Sequence, residues 1–188
     1  GRFHFYEGYN MKQVTFPVRV MKYLDVKKLI VSSASGGVNP NYKVGTIAIL
    51  KDHINMMPEH PLNGKNDERF GPRFVNMSDP YSKLMIAKAK ELALEMNIDV
   101  QDGIYLALQG PTFETLAEYK MVKNVGADCV GMSTVPEVIV ARHMEMEVFG
   151  LSVITDMGDE DNIEEVSHSE VLKAAQKAEP HVRRLIKE

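Results

Sequence analysis

The chain has 188 residues, 44% hydrophobic and 26% charged, with a formal charge of −4 from 22 Lys plus Arg against 26 Asp plus Glu. That suits one domain spanning 1–188 with a sizeable core; it excludes a disordered or fibrous chain and leaves no electrostatic footprint for nucleic acid. The single cysteine, Cys129, excludes an internal disulfide framework, and with no membrane-length run and no signal-peptide pattern the expected location is the cytoplasm.

Taken in order, Gly1 to Tyr9 alternates Arg2, Phe3, His4, Phe5 and Tyr6 in the manner of a strand. One face would then carry a cation, an imidazole and a phenol, able to bind an anion and a hydroxylated ligand. Val14, Val18, Met21 and Leu24 follow helical spacing, with Pro17 tolerable only in the first turn. Leu29 to Ser33 reads as a buried strand entering a turn at Ser33–Gly37, where small residues let backbone approach a ligand closely. Thr46–Leu50 is a further apolar strand. Asn55 to Asp79 is long and irregular, a length that points to function or an interface. Within it Phe70 is either an exposed aromatic for a lid or partner, or an anchor into the core. Ser78 or Asp79 is expected to cap a helix running to about Met96, with Met85, Ala89, Leu92 and Met96 as its apolar stripe.

Gly103–Gln109 is the next strand, followed by a loop with Phe113 and Glu114 and a helix to about Val125. Those two side chains offer a stacking face and a hydrogen-bond acceptor, which a planar heterocycle wants, although Glu114 reads equally as a first-turn helix charge. Cys129 and Val130 form a short strand, Gly131 a turn, and Ser133 or Thr134 the N-cap of a helix with Pro136 and Glu137 in its first turn. That helix start would suit a phosphate. Glu147–Thr155 is a strongly apolar strand stopping at Asp156. An acidic Asp159–Asp161 loop follows, read as solvated. Ser167-His168-Ser169-Glu170 is a capping box, and Pro180 should kink or restart the last helix.

Strands alternate with helices almost throughout, so the expected fold is α/β with a mixed, largely parallel central β-sheet flanked by helices. Ligands in such sheets sit at the carboxyl ends of strands. Ser33–Gly37, Phe113–Glu114, Met132–Ser133 and Asp156 all fall there.

The segments GRFHFYEGY, SSASGGVNP, DHIN with NDERFG, GPTFETLAE, GADCVGMSTVPEVIVARH and the SVITD strand end together resemble the trimeric purine nucleoside phosphorylases, in family order and across nearly the whole chain. The resemblance implies reversible phosphorolysis of inosine, guanosine and their deoxy forms to free purine and (deoxy)ribose 1-phosphate. Inorganic phosphate would be co-substrate, with no other cofactor and no metal. It assigns Arg2, His4, the backbone around Ala34, and Ser133 to phosphate. Tyr6, Met132 and His168 go to ribose, and Ala34, Phe113, Glu114 and Asp156 to purine, with His4, Glu114 and Asp156 as catalytic groups. Phe70 would close the sugar pocket of a neighbouring subunit, which implies a homotrimer without nucleic-acid or membrane partners.

The chemistry suits these residue types. Glycosidic cleavage passes through an oxocarbenium-like sugar while electrons move onto the departing base. A phosphate held by Arg2, His4 and Ser133 stabilises that cation and captures it. Two departures stand out. The 6-oxopurine enzymes usually carry Asn where this chain has Asp156, which either donates to N7 when protonated or accepts from a 6-amino group, as in adenosine and methylthioadenosine phosphorylases. Phe113-Glu114-Thr115 and His168 favour the 6-oxopurine pattern. The family's N-terminal third, with its phosphate loop, is also absent. The chain is therefore expected to be a fragment or processed piece with exposed sheet edges, and an inactive nucleoside-binding fragment is the alternative.

Overall fold

The computed structural model describes residues 1–158 and 167–187. Five strands, β1 (Lys28–Gly37), β2 (Ile47–Asn55), β3 (Val100–Ala107), β4 (Cys129–Gly131) and β5 (Glu147–Met157), alternate with helices α1 (Met11–Tyr23), α2 (Lys83–Glu95), α3 (Leu116–Asn124), α4 (Val135–His143) and α5 (His168–Lys187). The β1–β5, β2–β3 and β3–β4 pairs are parallel, and the β1–β4 and β2–β5 pairs antiparallel. The sheet is thus mixed and mostly parallel, as expected.

It also closes. The order β1-β4-β3-β2-β5 returns to β1, so each described strand has two neighbours and the expected open edges are not there. Bulges at Ser35/Gly36 and Leu50/Asp52 bend β1 and β2 and give the sheet the curvature that closure needs. β5 is buried from Val148 to Thr155, which explains why it reads as an unbroken apolar run.

Three apolar clusters cover the barrel. α4 is buried on nearly every side and packs Val135, Val138 and Ile139 with Val18 of α1 against Val31, Leu50 and Tyr105. Ala89 and Ala93 of α2 and Leu185 of α5 meet Ile47, Ile49, Phe149 and Leu151. Tyr119 and Val122 of α3 pack on Leu106 and Val130. Cys129, in the short strand where β3 and β1 are joined, is fully buried, and burial pushes its thiol up to about 12.

Several local expectations are corrected. Residues 2–6 are not a strand: the chain turns through a 3-10 segment, Phe5–Glu7, because the Glu7 carboxylate accepts the His4 N–H and Gly8 takes a left-handed conformation. Ser33–Gly37 is not a turn but the end of β1, paired with β5 along its length and with β4 at Gly36 and Gly37, where small residues serve close packing. Pro17 lies inside α1, beyond its first turn, between the buried Val14 and Val18. The cap of α2 is Ser82, whose hydroxyl accepts from Met85 N–H, rather than Ser78 or Asp79. α5 runs unbroken past Pro180. The Asp159–Asp161 loop lies outside the described residues. No helix among the described residues is long and apolar enough to cross a membrane.

Candidate active site

A cavity of about 550 Å³ opens at the carboxyl ends of β1, β4 and β5. Its walls bring together Arg2, His4, Tyr6, Ala34, Phe113, Glu114, Met132, Ser133, Asp156 and His168. These ten sequence-predicted positions span residues 2 to 168 and meet only because the strands carry them to one end of the barrel.

At one end of the cavity the Arg2 guanidinium is fixed by three partners. It donates to Thr134 Oγ1 at 3.1 Å and to the Ser32 carbonyl at 2.5 Å, and pairs with Glu137 Oε1 at 3.2 Å. His4 stacks on Tyr6 with ring centroids 4.8 Å apart. Burial, then the charge of Arg2, pushes His4 below the usual histidine range, so the imidazole is a neutral donor–acceptor there. Burial raises Tyr6, keeping its phenol protonated.

The start of α4 departs from an ordinary cap. Thr134 has φ +71° and ψ −59°, and Val135 N–H donates to the Ser133 carbonyl at 2.7 Å, forming a positive-φ γ-turn. Its hydroxyl makes no capping bond; it accepts from Arg2 and lies 3.2 Å from Ser133 Oγ. The Ser133 N–H donates to the buried Tyr105 hydroxyl. Such a conformation costs a non-glycine residue about 1–3 kcal/mol, and here the Thr134 hydroxyl meets the guanidinium with the Ser133 hydroxyl beside it.

At the other end two carboxyls face each other. Burial, with Asp156 and Glu118 nearby, pushes Glu114 up to about 7. Asp156 Oδ1 accepts from Thr155 Oγ1 at 2.9 Å and Oδ2 from the Tyr119 hydroxyl at 2.7 Å. Phe113 remains 40% exposed, presenting a free ring. His168 is the first residue of α5, held by the predicted box in which Ser167 N–H donates to Glu170 and Glu170 N–H to Ser167 Oγ.

Phe70 does not line the cavity of its own chain. It is half-buried against the barrel–α4 cluster, with the Arg19 guanidinium 5.1 Å from its ring centroid. The free aromatic of that loop is Phe74, 89% exposed. Sequence reasoning missed Tyr119, Thr155 and Glu137 as participants. Of these, only Tyr119 left a usable trace: it and Val122, three residues apart, form the inner face of α3.

The Phosphorylase superfamily model matches residues 2–188. The chain is 48% identical over 187 residues to Purine nucleoside phosphorylase 1 of Bacillus subtilis, covering 100% of this chain and 69% of that protein. It is 50% identical over 193 residues to the Purine nucleoside phosphorylase of Mus musculus, covering 99% of this chain and 67% of that one. The crystal structure of Schistosoma mansoni purine nucleoside phosphorylase in complex with inosine superposes with a TM-score of 0.93 at 43% identity, covering 100% of this chain and 69% of that chain. With the family matched end to end, the barrel shared and relatives near half identical throughout, this chain belongs to the phosphorylase superfamily, among its purine nucleoside phosphorylases.

Proposed function

We propose that the cavity between Arg2 and Asp156 is where this purine nucleoside phosphorylase exchanges base for phosphate, with 6-oxopurine nucleosides as principal substrates. Its two unlike ends support that reading most: a tethered guanidinium with convergent hydroxyls, and an aromatic ring with paired carboxyls, in one cavity.

Arg2, His4, Ser133 and the β1 backbone at Ala34 hold phosphate beneath the sugar. Tyr6, Met132 and His168 contact ribose, His168 toward its 5′ end. Phe113 stacks on the purine, and the Glu114 carboxylate accepts from N1–H. A phosphate oxygen bonds to C1′ as the C1′–N9 bond breaks, and the electron pair leaves with the purine, which takes up a proton. Burial raises Glu114, so its ionised and protonated forms are both present near neutral pH. Phosphate serves as co-substrate and no further cofactor is required. The assembly is a homotrimer in which Phe70, on the loop between β2 and α2, closes a neighbour's sugar pocket. The free, buried thiol of Cys129 suits a cytoplasmic setting for purine salvage.

The test is base release from inosine and guanosine with and without phosphate. Release that requires phosphate and yields ribose 1-phosphate supports the proposal. Equal release without phosphate would make the chain a hydrolase and leave the Arg2 site without purpose.

A further inference from the structure

Asp156 is held from behind. Tyr119 is 6% exposed and is not part of the cavity wall, yet its hydroxyl reaches Asp156 Oδ2 at 2.7 Å while Thr155 supplies a donor to Oδ1. The contact depends on Gly36 of β1: a Cβ there would lie 2.9 Å from both Asp156 Oδ2 and the Tyr119 hydroxyl oxygen, closer than any side chain tolerates. β1 is therefore bare where phenol and carboxylate meet. Burial, then the two carboxyls Asp156 and Glu114, raises Tyr119 far above the usual phenol range, so it remains a donor at any working pH. Both Asp156 oxygens are thereby committed to accepting.

We propose that Tyr119 is a positioning residue that determines purine specificity: by fixing Asp156 as an acceptor, it fits the cavity to 6-aminopurines alongside 6-oxopurines. This rests on the purine-site reading above. A 6-aminopurine offers an exocyclic N–H to Asp156 and an acceptor at N1. A 6-oxopurine offers an acceptor at O6 and a donor at N1. Glu114 serves either ring, accepting from N1–H when ionised and donating to N1 when protonated. At about 7 both forms are present at neutral pH. The ionisable groups acting on Glu114 are Asp156 from β5 and Glu118 and Tyr119 from α3, and His168 of α5 shares the cavity.

The experiment is calorimetric titration of the full chain with adenine and with hypoxanthine, for the unmodified protein, Tyr119→Phe, Asp156→Asn and the double variant. Tyr119→Phe keeps the packed ring and removes only the hydroxyl. It is expected to lower the adenine-to-hypoxanthine affinity ratio about tenfold, the worth of one hydrogen bond to a charged group. In the D156N background the same change should leave the ratio unmoved, because no carboxylate remains to be held. Equal loss for both bases, or an undiminished effect in that background, overturns the proposal. Should Tyr119→Phe not fold, Thr155→Val removes the other donor at similar volume and must move the ratio the same way. Binding of hypoxanthine but not adenine by the unmodified protein defeats the Tyr119 proposal alone. Binding of neither base defeats the purine-site reading itself.

Discussion

Burial gives Glu114 a proton affinity high for a carboxylate, pushed up to about 7 from an ordinary 4.5, and this bears on turnover and on folding in opposite directions. Accepting from N1–H of a 6-oxopurine needs the ionised form, so kcat/KM for inosine is expected to rise as pH passes through about 7 and to level off above it. Glu114→Gln should flatten that limb and lower kcat/KM about 100-fold. For folding, the native state binds more protons than the unfolded chain between the two values. Stability from this group is therefore full below about 4.5 and lost as pH rises through about 7. Urea midpoints at pH 5 and pH 8 should differ less in Glu114→Gln than in the unmodified protein. Neither effect could be read from Phe113-Glu114 as a sequence pair, because the shift comes first from burial in the folded chain and then from Asp156, 42 positions away.

Among the elements, α5 ties local chemistry to the site most directly. Ser167→Ala removes one of the reciprocal capping bonds, at a cost of about 1 kcal/mol, and frees the helix start that carries His168. The expected result is a several-fold higher KM for inosine with the KM for phosphate unchanged, measured by initial rates. α4 should behave differently. Ile139→Ala is expected to cost about 2–5 kcal/mol in urea unfolding because Ile139 is buried against the barrel. The capping box at Ser167 was legible because both of its partners lie within four residues. The γ-turn at Thr134 was not: Ser133-Thr134-Val135-Pro136 has the appearance of an ordinary cap, and the Thr134 hydroxyl is engaged by Arg2, 132 positions earlier. Ser33–Gly37 was misread for a similar reason. Its small side chains resemble a loop until β4 and β5 are seen on either side of it.

For the whole molecule, alternation of strands and helices made the α/β class legible. Closure of the barrel was not, since it depends on antiparallel contacts between β1 and β4 and between β2 and β5 that leave no mark within any one segment. The two aromatics of the 56–82 loop can be tested apart. Phe70→Ala should raise the KM for inosine at least about tenfold, in the range of an interface hot spot, whereas Phe74→Ala should leave both that KM and the urea midpoint alone. Phe70→Ala should lower the urea midpoint, because its ring packs on the core and under Arg19. Sedimentation of both variants would test whether the loop also holds the proposed trimer together.

Cys129 turns the barrel seam into a clock. A thiol fully buried in β4 and pushed up to about 12 does not meet an alkylating reagent until the strand comes away from its neighbours, so the labelling rate counts openings of the barrel one molecule at a time. β4 leads directly into Met132 and Ser133, and any opening that exposes the sulfur also disperses the hydroxyls gathered around Arg2. Phosphate should therefore slow alkylation by the factor 1 + [phosphate]/Kd. A single cysteine would then report the affinity of the anion site without a nucleoside in the tube.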